Sequence, residues 1–313
     1  MSTPTQPPHE PHPNHDRGLE FDLSTLLSRR RSLGMFLGAG AAAALAACTP
    51  GGPTGSASTT TVGSTPTGSA STATAGSTPT GSASTAATTP SASASPTLTR
   101  AIAECGVEIP EETAGPFPGD GSNGPNALSA SGVVRQDITA SFGTSSSTAE
   151  GVPLTVTLTL LDNANGCTPL AGAAVYAWHC DKDGKYSMYD SGLKNENYLR
   201  GVQEADANGQ VTFKTIYPGA YSGRWPHIHF EVFESMNNAT TAGQVLAVSQ
   251  IALTDAVCRE VYASAGYESS ARNFPRTTLK SDNVFGDDGG IYQLAAMAGS
   301  VSAGYTAALN VTV

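Results

Sequence analysis

Past about residue 98 the chain is organised by alternation. Leu154, Val156, Leu158 and Leu160 are separated by threonines, the period-two pattern of a strand with one buried face. Asn163-Ala164-Asn165-Gly166 turns the chain, and Ala173–Trp178 resumes as a second strand that Asp181-Lys182-Asp183-Gly184 ends. The turn Asp206–Gly209 leads into a third strand, Gln210–Ile216. His227–Phe233 reads as a fourth, Val245–Leu253 as a fifth, and Leu309–Val313 closes the chain in the same idiom. Short strands with turn residues between them predict an all-β sandwich. One short helix is expected, Ala256–Ala263.

Composition divides what lies before those strands. Pro53–Pro96 is built almost wholly of Ser, Thr, Ala, Gly and Pro, with no aromatic or charged residue, and Pro-Thr-Gly-Ser-Ala-Ser recurs at Pro53, Pro66 and Pro79. Such a segment has nothing to bury against the entropy of ordering it, so 49–97 is expected to be a tether and 98–313 the globular domain. Upstream, Arg29-Arg30-Arg31-Ser32-Leu33 precedes an uncharged run, Gly34–Ala47, that ends in Leu45-Ala46-Ala47-Cys48. The paired arginines resemble a twin-arginine export signal, and Leu-Ala-Ala-Cys resembles a lipobox. The run is short of the ~20 residues that span a bilayer. Residues 1–48 are therefore expected to be an export signal, with Cys48 the lipid-bearing anchor on the outer face of the cell membrane, or with the protein secreted. Of the remaining cysteines, Cys105, Cys167, Cys180 and Cys258 are even in number, which in an exported domain suggests two disulfides of open pairing. The formal charge of −10 argues against nucleic acid as a partner.

The sharpest chemical feature is Arg224-Trp225-Pro226-His227-Ile228-His229. Residues two apart on a strand share a face, so both imidazoles can reach one metal, although a lone His-x-His does not say which. Its surroundings narrow the choice. A tyrosine follows a glycine turn at Gly184-Lys185-Tyr186, and another follows Pro218-Gly219-Ala220 at Tyr221. Taken with Tyr198-Leu199-Arg200-Gly201 and Phe213–Tyr217, this ordered set resembles the intradiol ring-cleavage dioxygenases. Weaker matches lie at Pro110–Phe117 and Val134–Ile138.

The resemblance implies an antiparallel sandwich and one ferric ion held by Tyr186, Tyr221, His227 and His229. Two phenolates and a hydroxide would neutralise Fe(III), and a bound cation would keep both tyrosines ionised. It implies further that a catechol binds through both oxygens, displacing Tyr221 as a base, and reacts with O2 to give a muconate-type diacid. Arg224 would stabilise the carbanion-like ring and Gln250 would position that arginine; a surface salt bridge is the plainer use of Arg224. Tyr189, Tyr198, Tyr217 and Trp225 read as pocket or core residues, and His179 as a hydrogen-bonded neighbour. The short step from Tyr221 to His227 implies an open pocket mouth. Two rivals remain at this level. One is a surface-tethered sandwich that binds without catalysing. The other is a zinc hydrolase built on His227 and His229, which lacks a clear third ligand. The particular catechol and the oligomeric state stay open.

Overall fold

The structure, a computed structural model, describes residues 106–241 and 243–313. The export signal, Cys48, the tether and Cys105 lie outside the described residues. The strands are β1 (Pro153–Asp162), β2 (Thr168–Pro169), β3 (Ala174–Trp178), β4 (Arg200–Glu204), β5 (Gln210–Ile216), β6 (His227–Phe233), β7 (Val245–Ala252), β8 (Ala296–Ser300) and β9 (Gly304–Thr312). Among the described residues three short α-helices join them: α1 (Met236–Thr240), α2 (Asp255–Tyr262) and α3 (Glu268–Asn273). The fold is all-β with two sheets. One runs β4-β3-β6-β7, antiparallel throughout. In the other, β1 pairs with β5 and β9, β9 pairs with β8, and β2 closes on the end of β1. The pair β1–β9 is parallel, an exception to the expected antiparallel pattern.

Alternation in β1 does what the sequence predicts. Leu154, Val156, Leu158 and Leu160 are buried while the threonines between them are half-covered. With their in-sheet neighbours Val211 and Phe213 of β5 they meet Val175 and Ala177 of β3 and Ile228, Phe230 and Val232 of β6 in one intersheet core. Strands β3 and β6 are buried at every position. Their second face carries Tyr176, Trp178 and Phe233 in a separate cluster with Phe117, Leu128, Val133, Tyr186 and Tyr189. Long loops thus roof the outer face of that sheet, and they make an enclosed polar site possible there. Because Ile228 and Phe230 face the intersheet core, His227 and His229 point beneath the roof.

The cysteines correct the sequence reading. Cys167 is disulfide-bonded, whereas Cys180 and Cys258 are free and buried. Each acts as a small core group. Cys180 Sγ donates to the carbonyl of Gly219 at 3.4 Å, and Cys258 Sγ lies 3.1 Å from Tyr217 Oη. Two disulfides among the four cysteines are not what the fold makes. Among the described residues, no helix is long and apolar enough to cross a membrane.

Candidate metal centre

Four side chains from three segments, two loops and β6, converge under the roof. His227 and His229 come from β6, where His229 is paired in register with Trp178 of β3 and Gln250 of β7. Their Nε2 atoms stand 3.1 Å apart, and Tyr221 Oη lies 3.2 Å from His227 Nε2. The Tyr186 ring meets Tyr221 edge-on at 6.0 Å between centroids and His229 at 6.3 Å. Tyr186 is buried and Tyr221 half-buried, so Tyr221 is the more open of the two phenols.

The two tyrosine loops are locked into each other by glycine. Gly219 donates to the carbonyl of Asp181 at 2.9 Å, and a Cβ there would lie 2.6 Å from the carbonyl oxygen of Lys182. Gly184, at φ +80°, packs so close to Tyr221 that a Cβ would come within 3.1 Å of its side chain. These turns need glycine for close approach as well as for backbone shape.

The donors suit a cation. His227 Nδ1 faces the carbonyl of Trp225, so the hydrogen-bond network assigns its proton there and leaves Nε2 as a lone pair. Burial, with Arg224 adding to it, pushes the pKa of His227 down to about 3, and burial together with His227 pushes that of His229 down as well. Both rings are neutral and able to ligate. The hydroxyl of Tyr186 is buried and finds no hydrogen bond of good geometry. Burial, then the nearby Tyr221 phenol, raises its pKa well above the phenol range. Nitrogens each about 2.1 Å from one ion and at right angles to it stand about 3.0 Å apart. The His227–His229 spacing matches that, and the orphaned phenol supplies a further donor. Two phenols and two imidazoles therefore fit a single hard metal ion. Among the described residues, no group of three His, Cys, Asp or Glu side chains could hold one.

A second ring of contacts fixes the donors. Trp178 stacks flat on His229, 4.9 Å away and 4° from parallel. Arg224 is buried, and its salt bridge lies in the interior: Nε is 3.0 Å from Asp282 Oδ2, with exposures of 3% and 0%. A surface pair, the plainer expectation, is not what forms. The other end of Arg224 donates to Gln250 Oε1 at 2.7 Å, and Gln250 Nε2 donates to the carbonyl of Thr113 at 2.9 Å. Asp282 is the functional neighbour that the sequence reading missed. It lies far along the chain in a segment without strand pattern, and no local motif marks it. His179 is bonded through both ring nitrogens, to the carbonyl of Cys180 and to Thr215 Oγ1, each at 2.7 Å. Trp225 packs on Phe274 at 5.0 Å and Tyr217 sits in the intersheet core, so both are framework.

Glu112, beside Thr113, has a pKa pushed up to about 8, by burial above all, with Asp287 and Asp288 adding and the Gln293 amide and Arg224 opposing. Between about 4.5 and 8 the folded chain holds this proton and the unfolded chain does not. Its contribution to stability is complete below 4.5 and is lost as pH rises through 8. Glu112→Gln should flatten the pH dependence of denaturant midpoints across that window. An unchanged slope would show that the Glu112 carboxyl titrates normally.

In this all-β sandwich two loop tyrosines meet two histidines of β6, a set with the oxygen and nitrogen donors that a single-ion centre would need. Residues 124–257 match the Dioxygenase family model (Dioxygenase_C), a span that contains all four donors, Arg224 and Gln250. That span is less than half of the chain, and over it the chain is similar to the intradiol ring-cleavage dioxygenases. It is 35% identical to the chlorocatechol 1,2-dioxygenase of Rhodococcus opacus over 54 residues, 17% of this chain and 21% of that one. It is 32% identical to the enzyme of that name from Pseudomonas sp. (strain P51), over 20% of this chain and 32% of that one. The chain thus spans about a fifth to a third of the length of these relatives. A similar solved structure is the intradiol ring-cleavage dioxygenase from Tetranychus urticae, at 28% identity and TM-score 0.48 over 57% of this chain and 86% of that one. Another is the dioxygenase domain of a carbohydrate-binding fusion from Streptomyces sp. SirexAA-E, at 22% and 0.42 over 66% and 98%.

Proposed function

We propose that this chain is a ferric-iron intradiol dioxygenase that opens a catechol-type ring with O2 to a muconate-type diacid. The observation that carries the reading is the convergence of Tyr186, Tyr221, His227 and His229 in a buried site backed by Arg224. Those four residues would hold one Fe(III), which when bound supplies the electron-withdrawing centre that makes a catecholate ring reactive toward O2.

The chain's own residues do the rest. Tyr221, more open than Tyr186, is placed to take the proton of a catechol hydroxyl on its Oη. His227 is held by the carbonyl of Trp225 and His229 by the face of Trp178, so neither imidazole need reorganise during reaction. The guanidinium of Arg224, fixed by Asp282 and Gln250, offers a preorganised positive charge beside His227 where negative charge would gather on the ring. The burial of His227, His229 and Arg224 excludes water from them and strengthens their interactions. We also place the enzyme outside the cell, carried by a lipid on Cys48; Cys48→Ala should then move it from the membrane fraction to the soluble one with ring cleavage unchanged.

Oxygen uptake with a panel of catechols, alongside metal analysis, tests the proposal. One iron per chain, visible colour that shifts when a catechol binds, and a colourless diacid are expected. A yellow semialdehyde product, or full activity with zinc and no iron, would overturn it. A colourless chain that binds catechols without turnover would favour a binding module.

A further inference from the structure

Arg200 opens β4 opposite Trp178 and has no exposed surface. A guanidinium keeps its charge, so burying one demands directed partners for its donors. Among the described residues all five of its hydrogen bonds go to neutral oxygens. Nε donates to Ser187 Oγ at 3.1 Å. One terminal nitrogen donates to the carbonyl of Pro118 at 2.7 Å and to Tyr176 Oη at 3.1 Å. The other donates to the carbonyls of Phe117 and Ser187, both at 3.0 Å.

These partners surround Tyr186. Ser187 is the next residue, and the Phe117 ring packs against the Tyr186 ring at 5.1 Å. Tyr176 stacks on Trp178, which in turn stacks on His229. The Tyr186 loop belongs to no strand, and it contains a left-handed non-glycine residue, Met188 at φ 71°. A second, Leu199 at φ 57°, immediately precedes Arg200. Such conformations persist only where surrounding contacts enforce them. The fit is tight on the other side too: a Cβ on Gly119 would lie 2.7 Å from a guanidinium nitrogen. An apolar side chain would supply none of these donors, and the Tyr186 loop would lose the tie that Arg200 makes between the carbonyls of Ser187, Phe117 and Pro118.

We propose that Arg200 is a positioning residue for the centre, tying the Tyr186 loop to the Phe117–Pro118 segment so that the Tyr186 phenol is held facing His229 and Tyr221. The use of that phenol as an iron ligand rests on the function proposed above, and the geometry of the tie does not.

The test therefore has two arms, each run on the full chain. In the iron-free chain labelled with fluorotyrosine, the Tyr186 resonance is identified by its loss in Tyr186→Phe. Arg200→Lys and Arg200→Met should shift and broaden it while leaving the Tyr305 resonance unchanged. In the iron-loaded chain, both variants should bind iron at least ~10-fold more weakly, with a displaced tyrosinate band and a melting temperature that falls further than in the iron-free form. Should both variants fail to fold, Ser187→Ala removes the Nε contact alone from the clamp and should move the same signals by less. A Tyr186 resonance, iron affinity and band that stay at wild-type values in the folded variants would overturn the proposal. A wild-type chain with no tyrosinate band would overturn the iron reading instead, and the fluorine arm would still decide the role of Arg200.

Discussion

Tyr186→Phe should yield a folded protein that has lost its iron and colour yet is no less stable without metal than the parent. The two effects have opposite signs for a physical reason. In the iron-free protein the Tyr186 hydroxyl is buried without a hydrogen bond of good geometry, a state that costs about 1–3 kcal/mol. Removing it relieves that cost and leaves the ring in its packing against Phe117 at 5.1 Å. With iron, the same oxygen would be one of four donors, and its loss leaves a site with too little anionic charge for a ferric ion. His229→Ala should lose iron as well, but with the stability effect reversed. It abolishes the stack on Trp178 and opens a buried cavity, so a loss of roughly 2 kcal/mol is expected. Metal analysis and thermal melts of both iron-free variants separate the cases. Wild-type iron content in Tyr186→Phe would remove this residue from the donor set.

The contrast also shows what the sequence could and could not reveal. The four candidate donors that the resemblance implies sit on legible local patterns: a period-two strand for the histidines and glycine turns for the tyrosines. Strands β1, β5 and β6 were legible for the same reason, since one apolar face writes an alternation. Strand β4 was not, because Arg-Gly-Val-Gln-Glu offers a single apolar side chain, Val202, and its other large buried residue, Arg200, is held by hydrogen bonds. Strand β8, Ala-Met-Ala-Gly-Ser, has small residues and too little contrast to read. The direction of β9 was also hidden, because a pattern of faces does not say which neighbour a strand will pair with. Cysteine parity misled for a related reason. Cys180 and Cys258 lie on different elements and are spent on core contacts with Gly219 and Tyr217. Pairing depends on distance, and number alone does not supply it.

Arg224→Ala should retain iron and colour, lower turnover by at least ~10-fold, and destabilise the fold by about 3–5 kcal/mol, and those losses have different origins. Turnover falls because a fixed charge beside the ring is removed, and each ~1.4 kcal/mol of lost transition-state stabilisation is a factor of ten. Stability falls because Asp282 is stranded. Burial alone would raise the pKa of Asp282, but Arg224 and the Trp225 N–H overcome burial and hold it below the ordinary carboxylate value. Its Oδ2 also accepts from Trp225 N at 2.6 Å, and its Oδ1 from Val284 N at 2.8 Å and Phe285 N at 3.1 Å. Those backbone donors keep the carboxylate in place when the cation has gone, so the charge stays buried and loses its ion pair. The double variant Arg224→Ala/Asp282→Asn isolates the two terms. An asparagine carries no charge and keeps one oxygen acceptor for Val284 N and Phe285 N, while its NH2 cannot accept from Trp225 N, so part of the lost stability should return. Turnover should not, since nothing in the double variant replaces the guanidinium beside His227. If denaturation midpoints and turnover recover together, Arg224 serves only to neutralise Asp282. If stability alone recovers, the charge on Arg224 acts on the substrate.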